Sequence, residues 1–342
     1  MQALSIAEFL APDTPVIDVR SPGEFERGHI PGAHPLPLFS DAERAIIGTL
    51  YKQQGRDAAV LEGLRIVGPK LAAIVEQARA LAFDGRIRVH CWRGGERSGS
   101  VAWLLGKAGF PAVHTLRGGY KAFRAHVLRE LERPPDLCVL GGYTGTGKTA
   151  VLGHLQRSGE QVIDLEALAR HKGSAFGAIA GTPQPTTEHF ENLLWQAIRG
   201  LDPQRHVWIE DESPMIGHVR VPNSLIVRMR RSPLYFAEMP AAERVERLMQ
   251  DYGQVPSEVL AENVLRIQKR LGPQHAKAAL EALAAGDLRT VASIALRYYD
   301  KAYLRGLAER DPATIITMPA SAGDLRGLAL RLEQHAASSI RS

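Results

Sequence analysis

Short apolar runs alternate with amphipathic stretches through most of the chain. Residues 14–20 (TPVIDVR) and 86–91 (RIRVHC) read as buried strands. Residues 98–109 (SGSVAWLLGKAG) read as a helix and 112–119 (AVHTLRGG) as a strand and turn. The pattern then repeats: strand 137–142 (LCVLGG), helix 148–159 (KTAVLGHLQRSG), and strands at 161–166 (QVIDLE), 206–212 (HVWIEDE) and 224–230 (SLIVRMR). Short apolar strands alternating with helices predict parallel α/β sheets. From about Ala241 the periodicity becomes helical, over 242–252, 258–271, 275–286 and 288–308, each amphipathic and carrying basic positions.

Two adjacent prolines, Pro134 and Pro135, stop the helical stretch 122–132 and precede the run that leads into the second set of glycines. They divide the chain into a first domain, 1–133, and a second, 136–342, with a helical C-terminal part from about 241. A length of 342 residues suits two domains. No apolar run is long enough to span a bilayer, and the N-terminal segment lacks the basic and apolar regions of a secretory signal. The expectation is a soluble, cytoplasmic protein. With two cysteines, Cys91 and Cys138, neither a disulfide framework nor a cysteine zinc cluster is expected. The formal net charge of +5 permits a polyanionic partner such as RNA.

The first chemical signal is Cys91-Trp92-Arg93-Gly94-Gly95-Glu96-Arg97-Ser98. A strand ends at the cysteine, and a glycine-containing loop runs into a helix that starts near Ser98. That arrangement rings the sulfur with backbone N–H groups at a helix N-terminus, which favours thiolate. Gly94 and Gly95 let the backbone curl inward, and Arg97 can close the loop and balance an anion. The spacing His-Cys-x5-Arg-Ser also fits the tyrosine-phosphatase signature. Upstream, Asp18-Val19-Arg20-Ser21-Pro22-Gly23-Glu24-Phe25 and Gly28-His29-Ile30-Pro31-Gly32-Ala33 resemble the first signature of the rhodanese family, whose loop cysteine carries a persulfide. Pro31-Gly32 shapes a turn there, and Asp18 and Arg20 are expected to hold a buried polar network. Many sulfurtransferases place the arginine one residue closer to the cysteine. The longer loop here has room for a tetrahedral oxyanion such as selenophosphate.

The second signal is Gly142-Tyr143-Thr144-Gly145-Thr146-Gly147-Lys148-Thr149, which fits G-x-x-x-x-G-K-[ST] between a strand and a helix. Its amides cradle phosphate oxygens, Lys148 neutralises charge, and Thr149 is placed to hold Mg2+. Val207 to Glu212 occupies the place of a Walker B strand, so Asp211 or Glu210 is the further candidate metal ligand. No guanine-reading NKxD motif is present, which leaves ATP, GTP or a non-nucleotide diphosphate as ligand. Cys138 reads as a small core residue.

Further segments complete a family resemblance. They are Tyr51-Lys52-Gln53-Gln54-Gly55, Trp92-Arg93-Gly94-Gly95, Gly141 to Gly145, Val162 to Glu166, His171 to Gly177, Ile209 to Ser213 and Arg228 to Pro233. Together, from about Val16 to Pro233, the sequence resembles the bacterial tRNA 2-selenouridine synthases: a rhodanese-like domain followed by a P-loop NTPase-like α/β domain. The resemblance implies two steps on 2-thiouridine at the wobble position of the tRNAs for lysine, glutamate and glutamine. The sulfur is first geranylated from geranyl diphosphate; S-geranyl is then replaced by selenium from selenophosphate. It implies both as co-substrates, Mg2+ as cofactor, no tightly bound organic cofactor, and a selenophosphate-producing enzyme as a candidate partner. Cys91 and Arg97 would be catalytic, and Gly142, Thr144, Gly145, Thr146, Gly147, Lys148 and Thr149 would bind diphosphate. His171, Lys172, Ser174 and Phe176 would shape the substrate site. Arg228, Arg230 and Arg231 are candidates for tRNA phosphates, with Arg266, Lys269 and Arg270 on a helix, while Tyr298 and Tyr299 could stack a base.

Two other readings stay open. One is a thiosulfate sulfurtransferase or cysteine-phosphatase-like enzyme with a regulatory NTPase domain. The other is an RNA-binding or chalcogen-trafficking module that hands sulfur or selenium to a partner without an activity of its own, for which Cys91 matters and Lys148 does not.

Overall fold

The computed structural model describes residues 2–11, 14–171, 183–252 and 255–339. The chain divides into two compact units, Met1–Glu130 with Glu191–Trp195, and Leu131–Phe190 with Gln196–Ser342.

The first unit runs β1 (Gln2–Leu4), α1 (Ile6–Phe9), β2 (Val16–Asp18), α2 (Pro22–Arg27), β3 (His34–Pro35), α3 (Asp41–Gln54), α4 (Arg56–Val67), α5 (Leu71–Leu81), β4 (Arg86–His90), α6 (Glu96–Lys107), β5 (Ala112–Leu116) and α7 (Gly119–Leu131). Its strands form one parallel sheet in the order β1-β5-β4-β2-β3. In β4, Ile87, Val89 and His90 are fully buried, and the alternating Arg88 is buried too. A strand buried on both faces is what helices on both sides of a parallel sheet require. Ile17, Val19, Ile87, Val89, Val101 and Leu105 share its core. Cys91 follows the C-terminal end of this central strand, where open parallel sheets place their sites.

The second unit runs β6 (Leu137–Gly142), α8 (Lys148–Arg157), β7 (Val162–Ile163), α9 (Leu165–Ala169), α10 (Thr187–Arg199), β8 (Val207–Glu210), β9 (Met215–Ile216) and β10 (Val219–Arg220). It continues with α11 (Asn223–Arg231), β11 (Leu234–Glu238), α12 (Ala241–Tyr252), α13 (Ser257–Leu271), α14 (Pro273–Ala284), α15 (Leu288–Ala308), β12 (Ile315–Pro319) and α16 (Leu325–Ser339). A parallel sheet has the order β12-β11-β6-β8-β7, and β9 with β10 forms a small antiparallel ribbon. The phosphate loop follows β6, the middle strand.

Two elements differ from the expectation drawn from the sequence. Residues 224–230 lie in helix α11, not in a strand: Leu225 and Met229, one helical turn apart, are its buried positions. The strand is the next apolar run, Leu234–Glu238. The C-terminal part is also not helical throughout. Ile315–Pro319 returns to the sheet as β12, paired with β11 from Leu234↔Ile315 to Glu238↔Pro319. Five residues carry too little periodicity to announce an edge strand; the partner strand makes it one.

Candidate functional site

The first unit holds the cysteine loop. Cys91 is 3% exposed, and its Sγ lies 3.2 Å from Ser98 Oγ in the first turn of α6. Ser98 Oγ also donates to the Gly95 carbonyl at 3.3 Å. From the other side, the start of α7 fastens the loop: Tyr120 N–H donates to Cys91 O and Lys121 N–H to Trp92 O, both at 2.9 Å. Gly94 (φ +69°) and Gly119 (φ +60°) make this approach possible. A Cβ on Gly119 would lie 2.4 Å from both Cys91 O and Gly94 N, and one on Gly94 2.4 Å from Leu116 O. The sequence marks Gly118-Gly119 only as a turn; that it braces the cysteine loop is a tertiary fact. Trp92 and Arg93 are exposed, the Trp92 ring lying 5.8 Å from that of Tyr120. Glu96 pairs with Arg56 at 2.7 Å on the surface, where such a pair adds little.

Arg97 does not simply close over the loop. Its guanidinium is held by Glu24 of α2, Nη1 to Oε2 at 2.7 Å and Nη2 to Oε1 at 3.2 Å. Burial alone would raise the Glu24 carboxyl, but its bonds and charge pairing with Arg97 outweigh that and keep it below the usual carboxylate range. Beneath the loop lies the expected buried network. Asp18 pairs with Arg20 at 2.5 Å, Arg20 donates to Gly28 O at 2.7 Å, and its guanidinium sits 3.7 Å from the centre of the Tyr120 ring. His90 Nε2 is 3.7 Å from Asp18, yet full burial pushes the imidazole down to about 4, so it is neutral near pH 7.

The second unit holds the phosphate loop. Gly142, Gly145 and Gly147 take φ of +149°, +86° and +77°, which lets the chain wrap around an anion. Lys148 Nζ donates to Gly142 O at 3.0 Å, and Thr146 Oγ1 to Tyr143 O at 2.8 Å. Thr149 Oγ1 donates to Glu166 at 3.3 Å. The Gly142 N–H donates to Tyr303 Oη at 3.1 Å. Arg244 braces the loop by donating to Thr144 O at 3.3 Å while bound twice to Asp300, each at 2.8 Å.

The carboxylates after β8 sort differently from the expectation. Asp211 is engaged by other protein groups. Its oxygens are taken by Arg230 at 2.9 Å, Arg310 at 2.8 Å and the Tyr303 hydroxyl at 2.8 Å. Glu210 and Glu212, on either side of it in sequence, are buried instead beside the loop. Glu210 Oε1 accepts the Glu166 N–H at 2.8 Å, and its Oε2 has no hydrogen-bond partner. Burial, then the charge of Glu166, pushes the Glu212 carboxyl up to about 7 against the pull of Lys148. Sequence reasoning missed Glu212 because the alternation of a strand was not carried past its end.

No group of three His, Cys, Asp or Glu side chains among the described residues forms a cage for a metal. Mg2+ needs none, since it keeps waters and phosphate oxygens and takes one or two protein ligands. Thr149, Glu166 and Glu212 fit that role, and the unpartnered oxygen of Glu210 and the raised carboxyl of Glu212 mark a place short of positive charge.

The remaining candidates lie apart. His171 N–H donates to Glu166 O at 3.0 Å, next to this cluster; Lys172, Ser174 and Phe176 lie outside the described residues. Arg228 is paired with Asp136 on the surface and Arg230 with the buried side chain of Asp211, whereas Arg231 is exposed. Arg266, Lys269 and Arg270 are exposed on α13. Tyr298 packs on the Val264 and Ile267 cluster, its ring 5.1 Å from that of Tyr299. Cys138 lies in the core, and burial pushes its thiol up to about 12, so it is inert. No helix among the described residues is long and apolar enough to cross a membrane.

Comparison with known proteins matches both halves of the chain. A family model described as the tRNA 2-selenouridine synthase AAA domain covers residues 135–322, and a rhodanese-like domain model covers 5–126. The tRNA 2-selenouridine synthase of Sulfurovum sp. (strain NBC37-1) is 38% identical over 79% of this chain and 79% of its own length. Those of Bdellovibrio bacteriovorus and Bordetella bronchiseptica are 41% and 42% identical over 70% of this chain, and the match spans 64% and 66% of their lengths. The chain belongs to the tRNA 2-selenouridine synthase family.

Proposed function

We propose that this protein is a transferase that converts 2-thiouridine to 2-selenouridine at the wobble position of the tRNAs for lysine, glutamate and glutamine, acting in the cytoplasm. The observation that carries the reading is the presence in one chain of a cysteine loop, braced at the end of a central strand, and a complete phosphate loop with Lys148 on its rim. A sulfurtransferase uses only the first, and an NTPase only the second.

The phosphate loop takes geranyl diphosphate. The 2-thio sulfur forms a bond to C1 of the geranyl group as the C1–O bond to diphosphate breaks. The loop amides and Lys148 stabilise the charge on the departing diphosphate. Mg2+ held by Thr149 with Glu166 and Glu212 would supply further positive charge there. S-geranylation turns the sulfur into a thiolate leaving group. In the second step selenium, at the selenide level it holds in selenophosphate, bonds to C2 of the base as the C2–S bond breaks and geranylthiol departs; water cleaves the P–Se bond and releases phosphate. Cys91 acts at this step on the selenium donor bound at its loop, and Arg97, oriented by Glu24, faces the anion that delivers the selenium. A selenophosphate-producing enzyme is the natural supplier.

The test is incubation of the purified protein with 2-thiouridine tRNA, geranyl diphosphate, Mg2+ and selenophosphate, followed by mass spectrometry of the nucleosides. The expected result is a geranylated intermediate and then 2-selenouridine. Unchanged nucleosides beside an active control would overturn the reading in favour of thiosulfate or phosphoester turnover.

A further inference from the structure

Helix α12 lays one face, Arg244, Arg247 and Leu248, against the phosphate loop. A Cβ on Gly145 would meet Arg244 Cβ at 3.2 Å and Leu248 Cγ at 3.4 Å. One on Gly147, the residue before Lys148, would meet Arg247 Nη2 at 2.8 Å and its Cζ at 3.0 Å. The Arg247 guanidinium therefore rests on the loop backbone at the N-terminus of α8.

The two arginines are in different states. Arg244 is fully engaged, by Asp300 and the Thr144 carbonyl. Arg247 is only partly exposed, it has no ion pair or hydrogen bond among the described residues, and its Nε is buried without a partner. An uncompensated, partly desolvated cation is costly to keep. Burying one against a phosphate loop at the N-terminus of α8, where anions are favoured, makes sense if an anion completes it.

We infer that Arg247 is a ligand of the anion bound by the phosphate loop, and that Arg247 and Lys148 together select a diphosphate over a single phosphate. Lys148 is a point charge at the rim, while the planar fork of Arg247 can bridge oxygens of two linked phosphates. The inference rests on the reading of this loop as a diphosphate site. It adds to that reading a residue outside the motif and a reason for the ligand class.

The experiment is calorimetric titration of the full chain with inorganic pyrophosphate and with orthophosphate in Mg2+, comparing wild type, Arg247→Gln, Arg247→Lys and Lys148→Ala, with a melting curve for each. Arg247→Gln is expected to weaken pyrophosphate binding about 10- to 100-fold, the scale of a hydrogen bond to a charged group, and orthophosphate less. Arg247→Lys should recover part of the loss. Without ligand, Arg247→Gln should melt no lower than wild type, because no partner is lost. Wild-type pyrophosphate affinity in Arg247→Gln, with binding lost in Lys148→Ala, would overturn the inference and leave the phosphate-loop reading standing. A drop of several degrees in the unliganded melting temperature of Arg247→Gln would assign the residue a structural role instead. No pyrophosphate binding by the wild type would overturn both.

Discussion

The Tyr303 hydroxyl accepts the Gly142 N–H at 3.1 Å. It also donates to Asp211 at 2.8 Å, so a residue of α15, more than 150 positions downstream, fixes the first turn of the phosphate loop. Tyr303→Phe leaves the amide and a carboxylate lone pair without this partner. The expected cost is about 1–3 kcal/mol, the price of unpaired buried polar groups, read by urea denaturation. Unchanged stability would mean that water replaces the hydroxyl at no loss.

Gly119 has no room for a side chain. At φ +60°, with Cys91 O and Gly94 N each 2.4 Å from where a Cβ would sit, Gly119→Ala must move the cysteine loop or the start of α7. The variant is expected to lose roughly 2 kcal/mol or more through backbone strain and collision. Alkylation of Cys91 by iodoacetamide should speed up as the loop opens. Wild-type stability and alkylation rate together would refute the bracing role.

The two sites should fail at different steps. Cys91→Ala is expected to let geranylated tRNA accumulate without 2-selenouridine. Lys148→Ala is expected to stop geranylation, leaving 2-thiouridine. Nucleoside mass spectrometry reads both. Normal 2-selenouridine formation by Cys91→Ala would remove the sulfur from the mechanism.

Glu212 makes stability depend on pH. Its carboxyl is pushed from 4.5 to about 7. Between those values the folded chain binds more protons than the unfolded one, so stability falls as pH rises through the window and the loss is complete above it. His90 acts oppositely: lowered from 6.5 to about 4, it makes stability rise with pH between those values. The diagnostic is therefore the difference between Glu212→Gln and wild type. The variant should gain up to about 3 kcal/mol relative to wild type on going from about pH 5 to about pH 8. A difference that does not change with pH would show an ordinary carboxyl at Glu212.

The local signals lay in residues that are neighbours in the chain. Strand, glycine loop and helix follow one another around Cys91 and again around Lys148, so the sequence by itself determined the α/β class, the loop cysteine and the phosphate loop. Even the buried pairing of Asp18 with Arg20, two residues apart, was legible. What the sequence did not determine were partners that meet only through the fold. Gly119 against Cys91, Tyr303 on Gly142, Arg247 on Gly147 and Glu24 on Arg97 join residues far apart in the chain. The tertiary structure also decided between adjacent carboxylates. Asp211 went to two arginines and a tyrosine, while Glu210 and Glu212 went to the side of the phosphate loop. A sequence shows that acids are present at a strand end, but which side each faces, and which cation waits there, follows from the packing of the helices against it.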